Sequence, residues 1–209
     1  YEAAGLAFEE FPQRFERLAE TAHAYKAFLS GEPLAIEGRH INWSGFSGTP
    51  APAQQPWPPL MIGGGSKKIL DFAGREADIV SLNFNNRAGM LGPDGMNSGL
   101  AEATARKIEW VKNGAGERFG DIELEIAAYN TIITDQQQAT AAAFGEALGL
   151  SAEDILSHPH CLIGSLDFMC EELERRREAY GISYIAVLDD GTHNMVESFA
   201  PVVERLAGK

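Results

Sequence analysis

The chain has 209 residues, 44% hydrophobic and 22% charged, with 17 Lys and Arg against 30 Asp and Glu for a formal net charge of −13. These proportions belong to a folded globular protein and exclude whole-chain disorder. The acidic balance argues against nucleic acid or an anionic membrane as partner, because the one basic cluster, Arg175-Arg176-Arg177, lies among Glu171, Glu172, Glu174 and Glu178.

No apolar run is long enough to span a bilayer and there is no signal-peptide pattern, so no membrane association is expected. Cys161 and Cys170 form neither a disulfide framework nor a metal-ligand series, so the expectation is a cytoplasmic protein without a metal site.

Phe11, Phe15, Leu18, Ala22, Tyr25 and Phe28 recur at helical spacing and predict a helix over 11–29, with Pro12 in its first turn and Ser30-Gly31 as its stop. Residues 31–59 carry Pro33, Pro50, Pro52, Pro56, Pro58 and Pro59 and read as an irregular connection. Trp43, Phe46 and Trp57 argue that it is ordered, since aromatic rings are costly to leave in water. Leu60-Met61-Ile62 predicts a short strand, Gly63-Gly64-Gly65 a turn, and 66–75 a helix. A second strand follows over 77–82, then a loop over 83–98 and a helix over 99–112.

Ile122, Leu124 and Ile126 alternate with Glu123 and Glu125 at the head of a third strand, 122–133. An Ala-rich helix is predicted over 136–148, then a short one with Ser151 as N-cap and Asp154 three residues on. Cys161-Leu162-Ile163 leads through Gly164-Ser165 into a helix that ends at Tyr180 and is capped by Gly181. Residues 182–188 are almost continuously apolar, as a strand buried on both faces would be, and the last helix covers 195–206. Four strands (60–62, 77–82, 122–133 and 182–188) alternating with helices require a parallel α/β sheet. An open doubly wound sheet and a portion of a (β/α)8 barrel both satisfy that pattern, although no acidic residue and glycine fingerprint of the doubly wound nucleotide-binding kind is present.

Pro58-Pro59-Leu60-Met61-Ile62-Gly63-Gly64-Gly65, followed by Gly74-Arg75-Glu76-Ala77-Asp78-Ile79-Val80, resembles the luciferase-like monooxygenase superfamily, most closely its deazaflavin-dependent oxidoreductases. Arg14 to Glu20, Pro50 to Pro56, Leu162 to Asp167 and Tyr180 to Tyr184 add further pieces in family order. The resemblance implies a TIM-type (β/α)8 barrel in which 1–209 form a single domain, the helix at 11–29 is the family's fourth and the strands are the fifth to eighth. A whole barrel takes about 250 residues or more, and with the helix at 11–29 as the fourth, about the first 100 residues of the family pattern are expected to precede this stretch. It further implies hydride transfer between a reduced deazaflavin coenzyme (coenzyme F-420) and a small organic substrate. An FMN-dependent monooxygenase is the alternative, and a non-catalytic half-barrel serving as an assembly module is a reading of another class. Unpaired end strands make a homo-oligomer the expected state.

Gly63, Gly64, Gly65 and Ser66 are the leading cofactor-binding candidates. Successive glycines admit a ligand close to the backbone, and the following helix start offers N–H groups to a phosphate, with Lys67 and Lys68 beside it. A tight strand-to-helix turn is the structural alternative. Asn83, at the end of the second strand, is implied by the resemblance to lie near the cofactor's phosphate-bearing chain; a turn-forming Asn is equally compatible with its residues. Arg87 reads as a solvated cation, and Asn130 and Thr131 as a satisfied polar pair. His158-Pro159-His160 is a poor metal pair and fits a Pro-centred turn before a short strand better. His193, with Asp189 and Asp190 after the last strand, is a weak acid/base candidate, and no other catalytic residue is identified. His23 and His40 read as structural, and the two cysteines as small core residues.

Overall fold

The computed structural model describes residues 2–86, 93–189 and 194–208. The chain divides into two compact units, Tyr1–Leu60 and Met61–Lys209.

In the first unit, helix α1 (Phe11–Leu29) has Pro12 in its opening turn, buries Ala22 and Ala24, and partly buries Phe15, Leu18, Tyr25 and Phe28. It stops where expected: the Ser30 amide bonds Lys26 O and Gly31 turns at φ 78°. The connection that follows is ordered, as its aromatics require, with the rings of Phe28, Trp43 and Phe46 packed at 6.1–6.4 Å. It also contains a hairpin that the proline pattern conceals. Strands β1 (Ala35–Glu37) and β2 (Asn42–Ser44) pair antiparallel. Their turn is fixed from α1, where the Glu20 carboxylate accepts the backbone N–H groups of Arg39, His40 and Ile41 at 3.0, 2.7 and 3.0 Å.

The second unit runs β3 (Met61–Gly64), α2 (Lys67–Glu76), β4 (Ile79–Leu82), α3 (Pro93–Asn97), α4 (Ala101–Ala115), β5 (Glu123–Ala128), β6 (Asn130–Ile133), α5 (Gln137–Leu148), α6 (Ala152–Ser157), β7 (Cys161–Gly164), α7 (Leu166–Tyr180), β8 (Ile182–Val187) and α8 (Met195–Leu206). One four-stranded sheet is ordered β3-β4-β5-β8, parallel throughout, which is the order that successive strands of a β/α barrel adopt. Register separates its faces. Ile62, Val80, Leu124 and Ile182 form one row with 4%, 0%, 2% and 2% exposure. The neighbouring row, on the opposite face by the two-residue side-chain period, is Gly63, Ser81 and Glu125, and a register shift between Leu124 and Glu125 brings Tyr184 opposite Glu125. Ala128 joins Leu162, Met169, Cys170, Leu173, Met195, Phe199 and Val202 in one core cluster.

Two expectations change. The stretch 122–133 is not one strand: β5 pairs with β8, whereas after Tyr129 the chain continues as β6 and pairs with β7. That partner, Cys161–Gly164, is the short strand expected after the Pro-centred turn, and it is buried at every position. The last strand is not buried on both faces: β8, one of the two edge strands of the four-stranded sheet, leaves Ser183 and Tyr184 exposed.

Helix signals behave as read. Ser151 and Asp154 form a reciprocal capping box, Ser165 caps α7 by accepting the Phe168 N–H, and Gly181 ends it at φ 71°. Two glycines do work the sequence does not announce. A Cβ on Gly74 of α2 would lie 2.3 Å from Val111 O of α4, and one on Gly114 of α4 would lie 2.0 Å from Asp71 O of α2. The two helices touch backbone to backbone at both points.

Candidate functional site

The site gathers where β3, β4 and β5 end. After Gly64 the chain turns through Gly65 and Ser66 into α2, whose first N–H groups have no intrahelical acceptor. Ser66 stands at the N-cap but makes no side-chain cap, and its Oγ is buried without a hydrogen-bond partner. A buried hydroxyl left unpaired is costly, which makes it the one polar group of this turn that awaits an acceptor or donor from outside the protein. Lys67 and Lys68 follow on the exposed side of the turn.

The three glycines differ in role. A Cβ on Gly64 would come within 2.2 Å of Ile69 Cγ2, and one on Gly65 within 2.2 Å of Phe84 O, so these two are glycine because protein packs against them. Gly63 is exposed on the polar face, where a Cβ would only graze Ser81 Cβ at 3.4 Å and Asn83 Nδ2 at 3.5 Å. It is the glycine that keeps space open beside polar side chains.

Asn83 is brought to this turn, its amide bonded to Gly64 O at 2.9 Å. Its side chain accepts the Tyr129 hydroxyl at Oδ1 (2.5 Å) and donates from Nδ2 to Ser81 Oγ (3.3 Å). Ser81 in turn hydrogen-bonds Glu125. Glu125 is 4% exposed, and burial holds its carboxyl above the usual carboxylate range. Among the described residues it has no cationic partner. Burial and the nearby Glu125 charge push the Tyr129 phenol upward, against the pull of its Asn83 bond.

The histidine pair backs this network. Phe84 stacks on Tyr129 at 5.5 Å and meets the His160 ring at 4.3 Å, while His160 stacks on Tyr129 at 5.5 Å. Both imidazoles are fully buried. Their carbonyl partners fix the protons: His160 Nδ1–H donates to Ala127 O (2.9 Å) and His158 Nε2–H to Met96 O (3.4 Å). His158 Nδ1 accepts the His160 amide. Burial drives the pKa of His158 down to about 4 and of His160 down to about 3, so both rings are neutral. They form the Pro-centred turn, as the sequence suggests.

That turn is held by Arg176, 1% exposed, which donates to Pro159 O (2.7 Å), Cys161 O (2.6 Å) and Glu172 (2.8 Å). Lys107, also buried, ties down the far side by donating to Asn83 O (2.5 Å) and Ser98 O (2.6 Å), and burial lowers its pKa to about 8.

Gly63, Gly64, Gly65, Ser66 and Asn83 are therefore brought to one place. His193 and Arg87 lie outside the described residues. Asn130 and Thr131 are spent locally, on Cys161 Sγ (3.9 Å) and Ala128 O (3.2 Å). Glu125 and Tyr129 are the functional candidates that sequence reasoning missed. Glu125 looks like the solvent half of an alternating strand, and Tyr129 like its uninterrupted middle.

Elsewhere, Glu16, Glu20 and His40 place three metal-ligand-type atoms within 4.8 Å of one another. Glu20 is already occupied by three amides, and Glu16 by Arg39 and His40. A groove of about 830 Å3 bounded by Gln137, Glu153, Phe168, Arg175 and Tyr180 lies away from the glycine turn. No helix among the described residues is long and apolar enough to cross a membrane.

Solved structures share the fold. The coenzyme F-420-dependent tetrahydromethanopterin reductase of Methanopyrus kandleri superposes with a TM-score of 0.70 at 16% identity, covering 98% of this chain and 69% of that one. A riboflavin lyase solved with modified FMN and riboflavin gives 0.65 at 13% identity, covering 98% and 60%. The EDTA monooxygenase of Chelativorans sp. BNC1 gives 0.66 at 14% identity, covering 98% and 62%. The chain thus spans roughly two thirds of the length of these proteins and carries part of their TIM-type barrel. Residues 1–202 match the family model described as luciferase-like monooxygenase, and the chain belongs to that family.

Proposed function

We infer that this chain forms the phosphate-holding side of a flavin-type oxidoreductase site. The reading is a deazaflavin-dependent enzyme that passes hydride between the reduced coenzyme and a small organic substrate. The observation that carries it is the buried, unpartnered Ser66 Oγ at the start of α2, directly after Gly63-Gly64-Gly65. A phosphate supplies the missing acceptor for Ser66 and meets the positive end of the helix dipole, with Lys67 and Lys68 alongside.

The coenzyme, when bound, supplies the redox chemistry. The chain's own groups do the rest. Ser66 and the α2 amides hold the anion, Gly63 keeps the approach open, and Asn83 is fixed beside it by Gly64 O, Ser81 and Tyr129. An FMN-dependent monooxygenase is the neighbouring reading, since structures of similar fold include flavin-containing and monooxygenase proteins.

Titrating the protein with the deazaflavin coenzyme and with FMN separates the two, tighter binding of FMN overturning the deazaflavin assignment. Ser66→Ala removes a hydrogen bond to a charged group, worth about 1.5–3 kcal/mol. It is therefore expected to weaken the phosphate-bearing cofactor at least about 10-fold. Unchanged affinity in Ser66→Ala refutes the phosphate assignment.

A further inference from the structure

We propose that the groove between α6 and α7 is a second binding site, for a small monocarboxylate with an apolar body of the arylalkyl kind, whose carboxylate is met by Arg175 and Tyr180. It lies away from the glycine turn, so this proposal and the phosphate reading stand or fall separately.

The space is there. The groove has a volume of about 830 Å3, within the range of pockets that hold small molecules. Helix α6 lines one side with Ala152 and Leu156, four residues apart and so on one face. Helix α7 lines the other with Phe168, Glu172 and Arg175, which share a face by the same spacing. The step from Phe168 to Arg175 is about 10 Å along the helix at 1.5 Å per residue. An apolar floor with a cation about that far along it fits an acid of the length of phenylbutyrate.

Charge sets the sign of the ligand. Glu172 is 6% exposed, and two guanidinium groups serve it, Arg176 at 2.8 Å and Arg175 at 2.7 and 2.8 Å. Burial works to raise its pKa, yet the bonds from both arginines hold it below the usual carboxylate range, so it is ionised. Two cations on one anion leave this wall with a net positive charge, in a chain whose net charge is −13. Arg176 is spent inward, on Glu172, Pro159 O and Cys161 O. Arg175 lines the groove with about half of its side chain exposed.

The wall also offers donors. A guanidinium carries five N–H groups; Glu172 takes two from Arg175 and the Tyr180 hydroxyl accepts another. The rest have no acceptor among the described residues, and the Tyr180 hydroxyl keeps its own proton to donate. The Ser157 hydroxyl, by contrast, is committed to Glu153 O. Glu153 opposes an anion only from the exposed rim.

Stability does not require this arrangement. Arg176 already gives Glu172 a buried partner at 2.8 Å, and an ion pair to a half-exposed side chain adds little. A second guanidinium at the mouth of a groove is explained by what enters the groove.

The test is a titration of the intact chain, followed by proton–nitrogen NMR, with 4-phenylbutyrate and with its neutral isostere 4-phenylbutanamide. The acid is expected to shift the backbone amides of 152–157 and 168–175. The neutral isostere should bind at least about 10-fold more weakly, the loss of a hydrogen bond between charged groups. Arg175→Met is expected to weaken the acid by about the same factor and to leave the isostere unchanged, so that the two bind alike.

No shifts in those two segments, equal binding of acid and isostere to the wild-type chain, or unchanged acid affinity in Arg175→Met overturns the proposal. If Arg175→Met does not fold, the acid against its isostere on the wild-type chain decides.

Discussion

A glycine in the middle of a helix is ordinarily a weakness, and replacing it with alanine is expected to stabilise by about 1 kcal/mol. Gly114→Ala in α4 should do the reverse. The new Cβ would sit 2.0 Å from Asp71 O and 2.8 Å from Asp71 C, both backbone atoms of α2 that cannot rotate aside. Ordinary contact begins at about 3.4 Å, so α2 and α4 must part by more than 1 Å at this point. Leu70 and Val111, both 0% exposed, would then lose contacts. Overpacking of this kind costs about 1–3 kcal/mol and offsets the propensity gain of about 1 kcal/mol, for an expected net loss of up to about 2 kcal/mol. Urea unfolding followed by circular dichroism measures it, with Gly120→Ala, which meets nothing within 4 Å, as the control. A Gly114→Ala protein more stable than wild type would refute the backbone-to-backbone contact.

Two further outcomes follow from the buried ionisable groups. Arg176→Met strips hydrogen bonds from Pro159 O and Cys161 O and one of two arginine partners from the buried Glu172, and should cost about 3–5 kcal/mol in urea unfolding; a loss under about 1 kcal/mol would mean the turn at 158–161 holds without it. His158 and His160 have pKa values lowered to about 4 and about 3, so below the unfolded value of about 6.5 the unfolded chain binds more protons than the native one. Stability should therefore fall as pH drops from 6.5 toward 5, by up to about 1.4 kcal/mol per pH unit for each ring, and a flat urea midpoint across that window would contradict the neutral buried pair.

How much of this could be read from the residues divides along physical lines. Helices declared themselves through period and caps: α1 with Pro12 and Gly31, α6 with Ser151 and Asp154, α7 with Ser165 and Gly181. These signals act within a turn or two of chain. The β1–β2 hairpin stayed hidden because its turn is fixed by Glu20, about twenty residues back on another element. The split at Tyr129 stayed hidden because only the partner strand β7 creates it. The glycine turn at 63–65 was legible, since successive glycines carry local meaning. Ser66's lack of a partner was not, nor was Glu125, whose burial depends on what the neighbouring strands put beside it.

The handover at Tyr129 has a mechanical consequence. One continuous stretch of backbone is laced to β8 before this residue and to β7 after it. The phenol therefore sits on the fulcrum between two separately anchored ladders. The second ladder is packed under α5 and α6, through Ala141, Ile155, Cys161 and Ile163. A substitution that shifts those two helices therefore reaches the backbone of the tyrosine through β7, without altering a residue beside the phenol.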